Sequence, residues 1–254
     1  MVISVIMPAY NAASTIKGII NSVVTQTHTD WELIVVDDAS TDNTADIIEG
    51  CAKQDARIKL LRLSKNQGTA AARNTAIAQA KGEYLAFLDS DDKWKPSKLE
   101  KQVKFMAEKN AIISYTATSY VDSYGHKSRY VLPALECLRY NELLKSNIMS
   151  CSSVMVRKGA MMPFPHGYIH EDYVVWLQIV KKYGVAYGLN EPLLIYCIGE
   201  STKSSNRLKS ARMTWNVYRE VGYGRIRSAF FVLRYARHSI SKRCAIRRNY
   251  DLCK

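Results

Sequence analysis

The chain has 254 residues, 47% of them hydrophobic, and a formal net charge of +13. That length and content suit one large α/β domain, or a domain with an appendage, and no run reaches the roughly 18–20 apolar residues of a bilayer-spanning helix. The six cysteines form no Cys-x-x-Cys or Cys/His pattern, which argues for reduced thiols in a cytoplasmic setting and against a disulfide framework or a zinc site. The charge is uneven: residues 203–254 carry 14 Lys/Arg against 2 Asp/Glu, whereas residues 1–202 carry 22 against 21. A near-neutral body thus bears a basic tail that seeks a polyanion, either a nucleic acid or an anionic membrane surface.

Residues 1–8 lack a charged leader and a small-residue cleavage site, and the reading there is a strand over 2–7. Ser14 or Thr15 caps a helix whose Ile16, Ile19, Ile20, Val23 and Val24 keep helical spacing. A second strand over 31–36 ends in Asp37-Asp38, and Thr41 and Asp42 cap a helix to about residue 51. A third strand spans 58–63; Gly68 precedes an Ala-rich helix over 69–80, Gly82 ends it, and a strand over 84–88 follows. Strands alternating with helices predict βαβ units and a parallel sheet. Beyond lie a helix over 98–109, strands over 111–121 and 128–132 joined by a turn at 123–125, and a short helix near 139–145. A strand over 153–157, a helix over 171–183 and strands over 185–189 and 193–198 complete the body.

The strand over 84–88 ends abruptly in Asp89-Ser90-Asp91-Asp92. In an open α/β sheet, ligands bind where such strands end. Asp89 and Asp91 are two residues apart, so an extended backbone points their carboxylates the same way. Two close carboxylates repel unless a cation lies between them, and Mg2+ or Mn2+ shared with substrate phosphates fits that arrangement. The same four residues are also good turn and capping chemistry. Two earlier strands end in polar residues on the same edge, Pro8-Ala9-Tyr10-Asn11 and Asp37-Asp38-Ala39-Ser40. Tyr10 can stack on a base or pack as an ordinary surface ring, and Asp38 can accept from a base N–H or a ribose hydroxyl. Arg73 can reach a phosphate or lie exposed on its helix. Together with the Asp cluster these residues outline a nucleotide-diphosphate pocket.

In order, SVIMPAYN at 4–11, ELIVVDDASTD at 32–42, NQG at 66–68 with ARN at 72–74, and LDSDD at 88–92 resemble family 2 glycosyltransferases of the GT-A fold. The likeness is close over 1–105 and looser to about residue 200. It implies an α/β fold with a Rossmann-like mixed, mostly parallel sheet flanked by helices. It also implies a nucleotide-sugar donor and an inverting, metal-dependent transfer. By this resemblance Tyr10 stacks near the base and Asp38 contacts it, while Pro8, Asn11 and Arg73 line the nucleotide site. Asp91 is then the principal ligand of Mn2+ or Mg2+, and Asp89 lies near the ribose or holds the metal through water. Asp92 supports the others or caps the turn.

In the second half, His170-Glu171-Asp172 opens a helix. Family members carry a Glu-Asp pair here whose Asp is the catalytic base, so the resemblance makes Asp172 the base and Glu171 the alternative. An inverting transfer needs one carboxylate to take the acceptor's proton. The pair also suits a helix N-terminus on electrostatic grounds alone. His170 is a candidate for touching acceptor or phosphate, with a packed or exposed side chain as the other reading; Trp94 and Trp176 are candidates for stacking on acceptor sugar faces, with core packing as the other reading for Trp176.

The predicted organisation is one domain over 1–200, with a nucleotide-binding half at 1–105 and an acceptor half at 106–200. A polar linker at 199–206 leads to a basic helical tail over 207–254. There, Ile226, Phe230, Leu233 and Ile240 interleave with arginines and lysines from Arg225 to Arg248, a pattern that lies in a membrane interface or forms a solvated cationic face. The enzyme class favours the membrane, because a polyprenyl-diphosphate-linked saccharide acceptor is met at its inner surface. The expected function is transfer from a nucleotide-diphosphate donor, a UDP-hexose, to that acceptor in O-antigen or capsule assembly, by a cytoplasmic protein peripheral to the membrane. Transfer to a bare polyprenyl phosphate is the alternative within the class. A nucleic-acid-binding protein using the tail is the alternative outside it; without a helix-turn-helix, zinc or RNA-recognition motif, no nucleic acid partner is expected.

Overall fold

A computed structural model describes residues 1–122, 125–167, 169–198 and 207–251. In chain order, β1 (Ile3–Ala9), α1 (Ile16–Val24), β2 (Trp31–Asp37), α2 (Thr44–Gln54), β3 (Ile58–Arg62), α3 (Thr69–Gln79) and β4 (Tyr84–Phe87) alternate. Then come β5 (Lys93–Trp94), α4 (Lys98–Glu108), β6 (Ile113–Asp122), β7 (Lys127–Leu132), β8 (Cys137–Arg139) and α5 (Tyr140–Leu143). β9 (Met155–Arg157), α6 (Glu171–Tyr183), β10 (Val185–Ile198), α7 (Arg207–Glu220) and α8 (Arg225–Asp251) follow among the described residues.

All ten strands share one sheet, ordered β3-β2-β1-β4-β9-β6-β10-β5, with β7 on β6 and β8 on β10. The pairs β1–β2, β1–β4 and β2–β3 are parallel, as crossover helices require. β9 runs antiparallel to both β4 and β6 and so sews this parallel half to the second half. The sheet is therefore mixed and flanked by helices, as the sequence predicts, with its parallel run concentrated in the first half.

Period-two alternation divides the core. Val5, Met7, Leu33, Val35 and Ala86 face α1, α2 and α4, with Ile16, Ile19, Ile20 and Val23 as the buried stripe of α1. Ile6, Ile34, Val36, Leu85 and Phe87 face the other layer, built from α3, α6 and α7. Both faces are covered, so β1, β2 and β4 are apolar almost throughout. Gly82 lets the turn into β4 press against β1: a Cβ there would lie 2.7 Å from the Ser4 nitrogen and the Val2 oxygen.

Three differences from the sequence reading have clear physical origins. The two strands expected over 185–198 are one, β10, whose register against β6 slips around Pro192; Pro192 has no N–H to donate, so a bulge takes the place of a turn. β5 and β8 are too short to carry a periodic signal and exist through pairing with β10. The basic tail is two helices, and the first is no loose appendage: Val217 and Tyr218 of α7 are fully buried, with the Tyr218 hydroxyl donating to the Leu144 carbonyl at 2.9 Å. The expected linker at 199–206, and Ser123 and Tyr124 of the expected turn, lie outside the described residues.

Candidate active site

Three loops meet at the C-terminal ends of β1, β2 and β4. Asn11 adopts φ 48°, and its side-chain oxygen accepts from the Thr41 N–H at 2.9 Å while its own N–H donates to Ser40 Oγ at 3.0 Å. The loop after β1 is thereby zipped to the loop after β2, a task that local polar side chains do well. Thr15 Oγ1 donates to the Ser90 carbonyl at 2.7 Å and ties the same loop to the Asp cluster. Tyr10, half exposed, is left projecting from this edge, whereas Pro8 is buried within β1.

Asp38 is 3% exposed, and both of its oxygens are taken by the loop before α3, from Gln67 N–H at 2.7 Å and Gly68 N–H at 2.8 Å. Gly68 holds φ 86° at that point, a conformation that favours glycine. Asp38 was expected at a base; in this structure it clamps the loop that begins α3. Asp38→Ala is expected to leave two N–H groups without an acceptor, a loss of about 1–3 kcal/mol. The check is a lower thermal midpoint together with a raised KM for the nucleotide donor.

Arg73 is the hub. It projects from α3, is 4% exposed, and donates through Nη2 to Asp89 at 2.6 Å and through Nη1 to Glu171 at 3.0 Å. Its planar fork suits two carboxylates at once. Burial opposes its charge, but the carboxylates of Asp89, Glu171 and Asp172 outweigh that and hold the guanidinium well above its ordinary proton affinity. The expected phosphate contact is thus replaced, in this structure, by an ion bridge across 98 residues of sequence.

Around Asp89 the carboxylates crowd. Its N–H donates to Ser152 Oγ at 3.0 Å, and the Asp92 N–H closes a turn on its carbonyl at 3.2 Å. Asp91 is exposed, whereas Asp92 is buried and accepts the Cys197 N–H at 3.3 Å. Burial, then Asp91 and Asp89, push the Asp92 carboxyl well up. Tyr196 of β10 feels the same three carboxylates, which add to burial in raising its phenol. Excess negative charge with hard oxygen donors fits a divalent cation. Among the described residues no group of three His, Cys, Asp or Glu side chains forms a cage for a metal, so Asp91 and Asp89 would hold such an ion as partial ligands beside substrate phosphates.

The opening of α6 supplies the other wall. Glu171 is held by Arg73; Asp172 is partly buried and receives a long hydrogen bond from Asn147 Nδ2 at 3.4 Å. Burial, then Glu171, raise the Asp172 carboxyl, while Arg73 and His170 oppose the rise. His170 presents a buried Nε2 with no protein partner, and so does Asn147 with its Oδ1. Of the two carboxylates, Asp172 is the one left outside the ion bridge.

The structure corrects both tryptophans. Trp176 is fully buried between Phe87 and Phe164, at ring separations of 5.4 and 6.0 Å, so it is a core ring and no sugar platform. Trp94 is also buried; its Nε1 donates to the Ser152 carbonyl at 2.7 Å and Lys98 Nζ lies 3.8 Å from its ring centre. Asn147, Ser152 and Cys151 escaped the sequence reading. Asn147 lies in irregular chain, and Cys151 and Ser152 in a single 3-10 turn too short to carry a periodic signal, so only the fold carries them to the carboxylates, where Cys151 lies in the field of Arg73, Asp89 and Asp172.

The sequence model of glycosyl transferase family 2 matches residues 4–162. TuaG of Bacillus subtilis, which bears the name of a teichuronic acid biosynthesis glycosyltransferase, is 41% identical over 95% of this chain and 97% of its own length. WfgD of Escherichia coli, named a UDP-Glc:alpha-D-GlcNAc-diphosphoundecaprenol beta-1,3-glucosyltransferase, is 35% identical over 94% of each. Among solved structures, S. aureus TarS 1–349 in complex with UDP-GlcNAc superposes with a TM-score of 0.71 at 22% identity, covering 91% of this chain and 70% of that one. A mannosyltransferase of Pyrobaculum calidifontis in complex with GDP-Man and Mn2+ gives 0.70 at 18% identity, over 91% and 69%. These two establish the GT-A-like fold alone.

Proposed function

The chain belongs to glycosyl transferase family 2, and on that premise we propose that it moves a sugar from a nucleotide diphosphate, a UDP-hexose, to a polyprenyl-diphosphate-linked saccharide in O-antigen or capsule assembly. The observation that carries this reading is the Arg73 bridge, which brings the Asp89–Asp91 cluster of the first half to the Glu171–Asp172 pair of the second. The Asp cluster and a carboxylate pair, one member of which lies outside the ion bridge, are then tied to one arginine. The names of WfgD and of WfaP, a second E. coli relative at 32% identity, support both the donor and the lipid-linked acceptor.

Asp172 takes the proton of the acceptor hydroxyl as that oxygen attacks the anomeric carbon. The bond from the carbon to the diphosphate oxygen breaks, its electron pair leaves with the diphosphate, and a single displacement inverts the centre. Asp91 and Asp89 would hold Mn2+ or Mg2+, which would offset charge on the diphosphate. Tyr10 stacks on the base, and Asp38 fixes the loop beside it. His170 Nε2 and the Asn147 amide oxygen, both without a protein partner, are the groups placed to meet the incoming saccharide, the amide oxygen as an acceptor only.

The test is UDP release from UDP-glucose with a synthetic lipid-diphosphate GlcNAc acceptor. Acceptor-dependent release is expected with Mn2+, lost with EDTA, and lowered at least about a hundredfold by Asp91→Ala. Release that instead follows a bare polyprenyl phosphate would move the acceptor to the alternative class. No release from UDP-, GDP- or dTDP-sugars, on folded protein with either acceptor, would overturn the reading.

A further inference from the structure

We propose that the outward face of α8 docks the protein onto an anionic lipid bilayer. The inference uses no residue of the carboxylate site and adds a second surface to the reading above.

α8 has two unlike faces. Ser228, Phe231, Val232, Tyr235 and Ile246 turn inward onto the body. Ile226, Phe230, Leu233 and Ile240 point away, with 89%, 60%, 73% and 58% of their surfaces exposed. At about 100° per residue those four fall within an arc of about 80°, opposite the packed side chains. Exposed Arg225, Arg227, Arg234 and Arg237 border or interrupt the arc. Scattered exposed apolar residues need no explanation, but four large ones sharing one helix face, with Arg237 set among them, do.

Charge decides the occupant. Between Glu220 and Asp251 the sequence holds no acidic residue. Pairing this stripe with the same stripe of a second copy would set arginine beside arginine, with no counter-charge in either helix. A nucleic acid would satisfy the arginines through its phosphates, yet would leave the isoleucine, phenylalanine and leucine side chains against a polar backbone. An anionic bilayer meets both demands, with headgroups for the guanidinium groups and the acyl boundary for the apolar arc. Among the described residues no helix is long and apolar enough to cross a membrane, so α8 would lie in the interface plane. Because its inner face packs on the body, docking would hold the whole domain, and with it the carboxylate site, at a fixed attitude to the lipid surface.

The experiment is co-sedimentation of the full chain with phosphatidylglycerol/phosphatidylcholine vesicles and with pure phosphatidylcholine vesicles. The wild-type protein is expected to bind the anionic vesicles and to lose that binding in high salt. Phe230→Ser with Leu233→Ser should weaken it about tenfold or more. Arg227→Ala with Arg234→Ala should weaken it about fivefold per arginine. All four side chains are exposed, so both variants should keep the wild-type thermal midpoint, and UDP release with a short water-soluble acceptor should be unchanged. That release reports on the proposed transfer separately from docking. Wild-type binding that is absent, or equal in both variants, would overturn the proposal; so would concentration-dependent dimerisation or duplex binding abolished by Phe230→Ser with Leu233→Ser.

Discussion

Asp172→Asn is expected to lower kcat by about a thousandfold while leaving donor affinity nearly unchanged, because a positioned general base contributes about 10²–10⁴. The substitution keeps the side chain's size and its place opposite Asn147, so a loss of that kind would be chemical. The pH profile sharpens the test. Burial and the neighbouring Glu171 raise the Asp172 carboxyl, and the group serves as a base only when deprotonated. The acid limb of kcat/KM should therefore lie above the ordinary carboxylate value of about 3.9, with a tenfold loss per pH unit below it. In Asp172→Asn the limb should vanish from the residual rate. Glu171→Gln should instead weaken the Arg73 bridge, cost less in kcat, and keep the limb but shift it to lower pH, because a charge that raises the Asp172 carboxyl is gone. If the two substitutions exchange these signatures, Glu171 is the base.

The first half of the fold was legible because its signals are local and repeated. β1, β2 and β4 announce themselves as apolar runs ending in polar residues, and α1 by a stripe at helical spacing. The Asp cluster was visible for the same reason: polar residues at the C-terminal end of a buried parallel strand have nothing to pack against. What the chain did not disclose is pairing over distance. Arg73 on its own is an arginine in an alanine-rich helix; only the fold delivers Asp89 and Glu171 to its two ends. Asp38 looked like a ligand contact because a carboxylate on a loop can serve a base or a backbone with equal ease. Trp176 stayed open between a sugar contact and the core because an aromatic residue near a helix start looks the same whether it faces a sugar or Phe87 and Phe164. The tail's charge was plain in the sequence, but not that α7 buries Val217 and Tyr218 while α8 sorts its apolar residues onto opposite faces.

Arg73→Ala is expected to destabilise the fold by about 3–5 kcal/mol, the range for removing one partner of a buried ion pair. The loss arises from what is left behind. Without the guanidinium, Asp89 and Glu171 lose their shared counter-charge next to Asp92 and Asp172, whose carboxyls burial and like charge already push up. Urea unfolding measures the change, and a double-mutant cycle with Glu171→Gln separates it from lost packing against the Phe164 ring 5.2 Å away. Because Glu171→Gln removes one of the stranded charges, the double variant should be less destabilised than the sum of the singles, with coupling of about 0.5–3 kcal/mol. Arg73→Lys should recover only part of the stability, since a single ammonium cannot reproduce two directed donors at 2.6 and 3.0 Å. Catalysis should fall further than stability in Arg73→Lys, because the bridge ties Asp89 to Glu171, and under the proposed mechanism small misplacements of those two groups are costly. Additive losses in the cycle, or full activity in Arg73→Lys, would show that the bridge neither couples the two halves nor positions them.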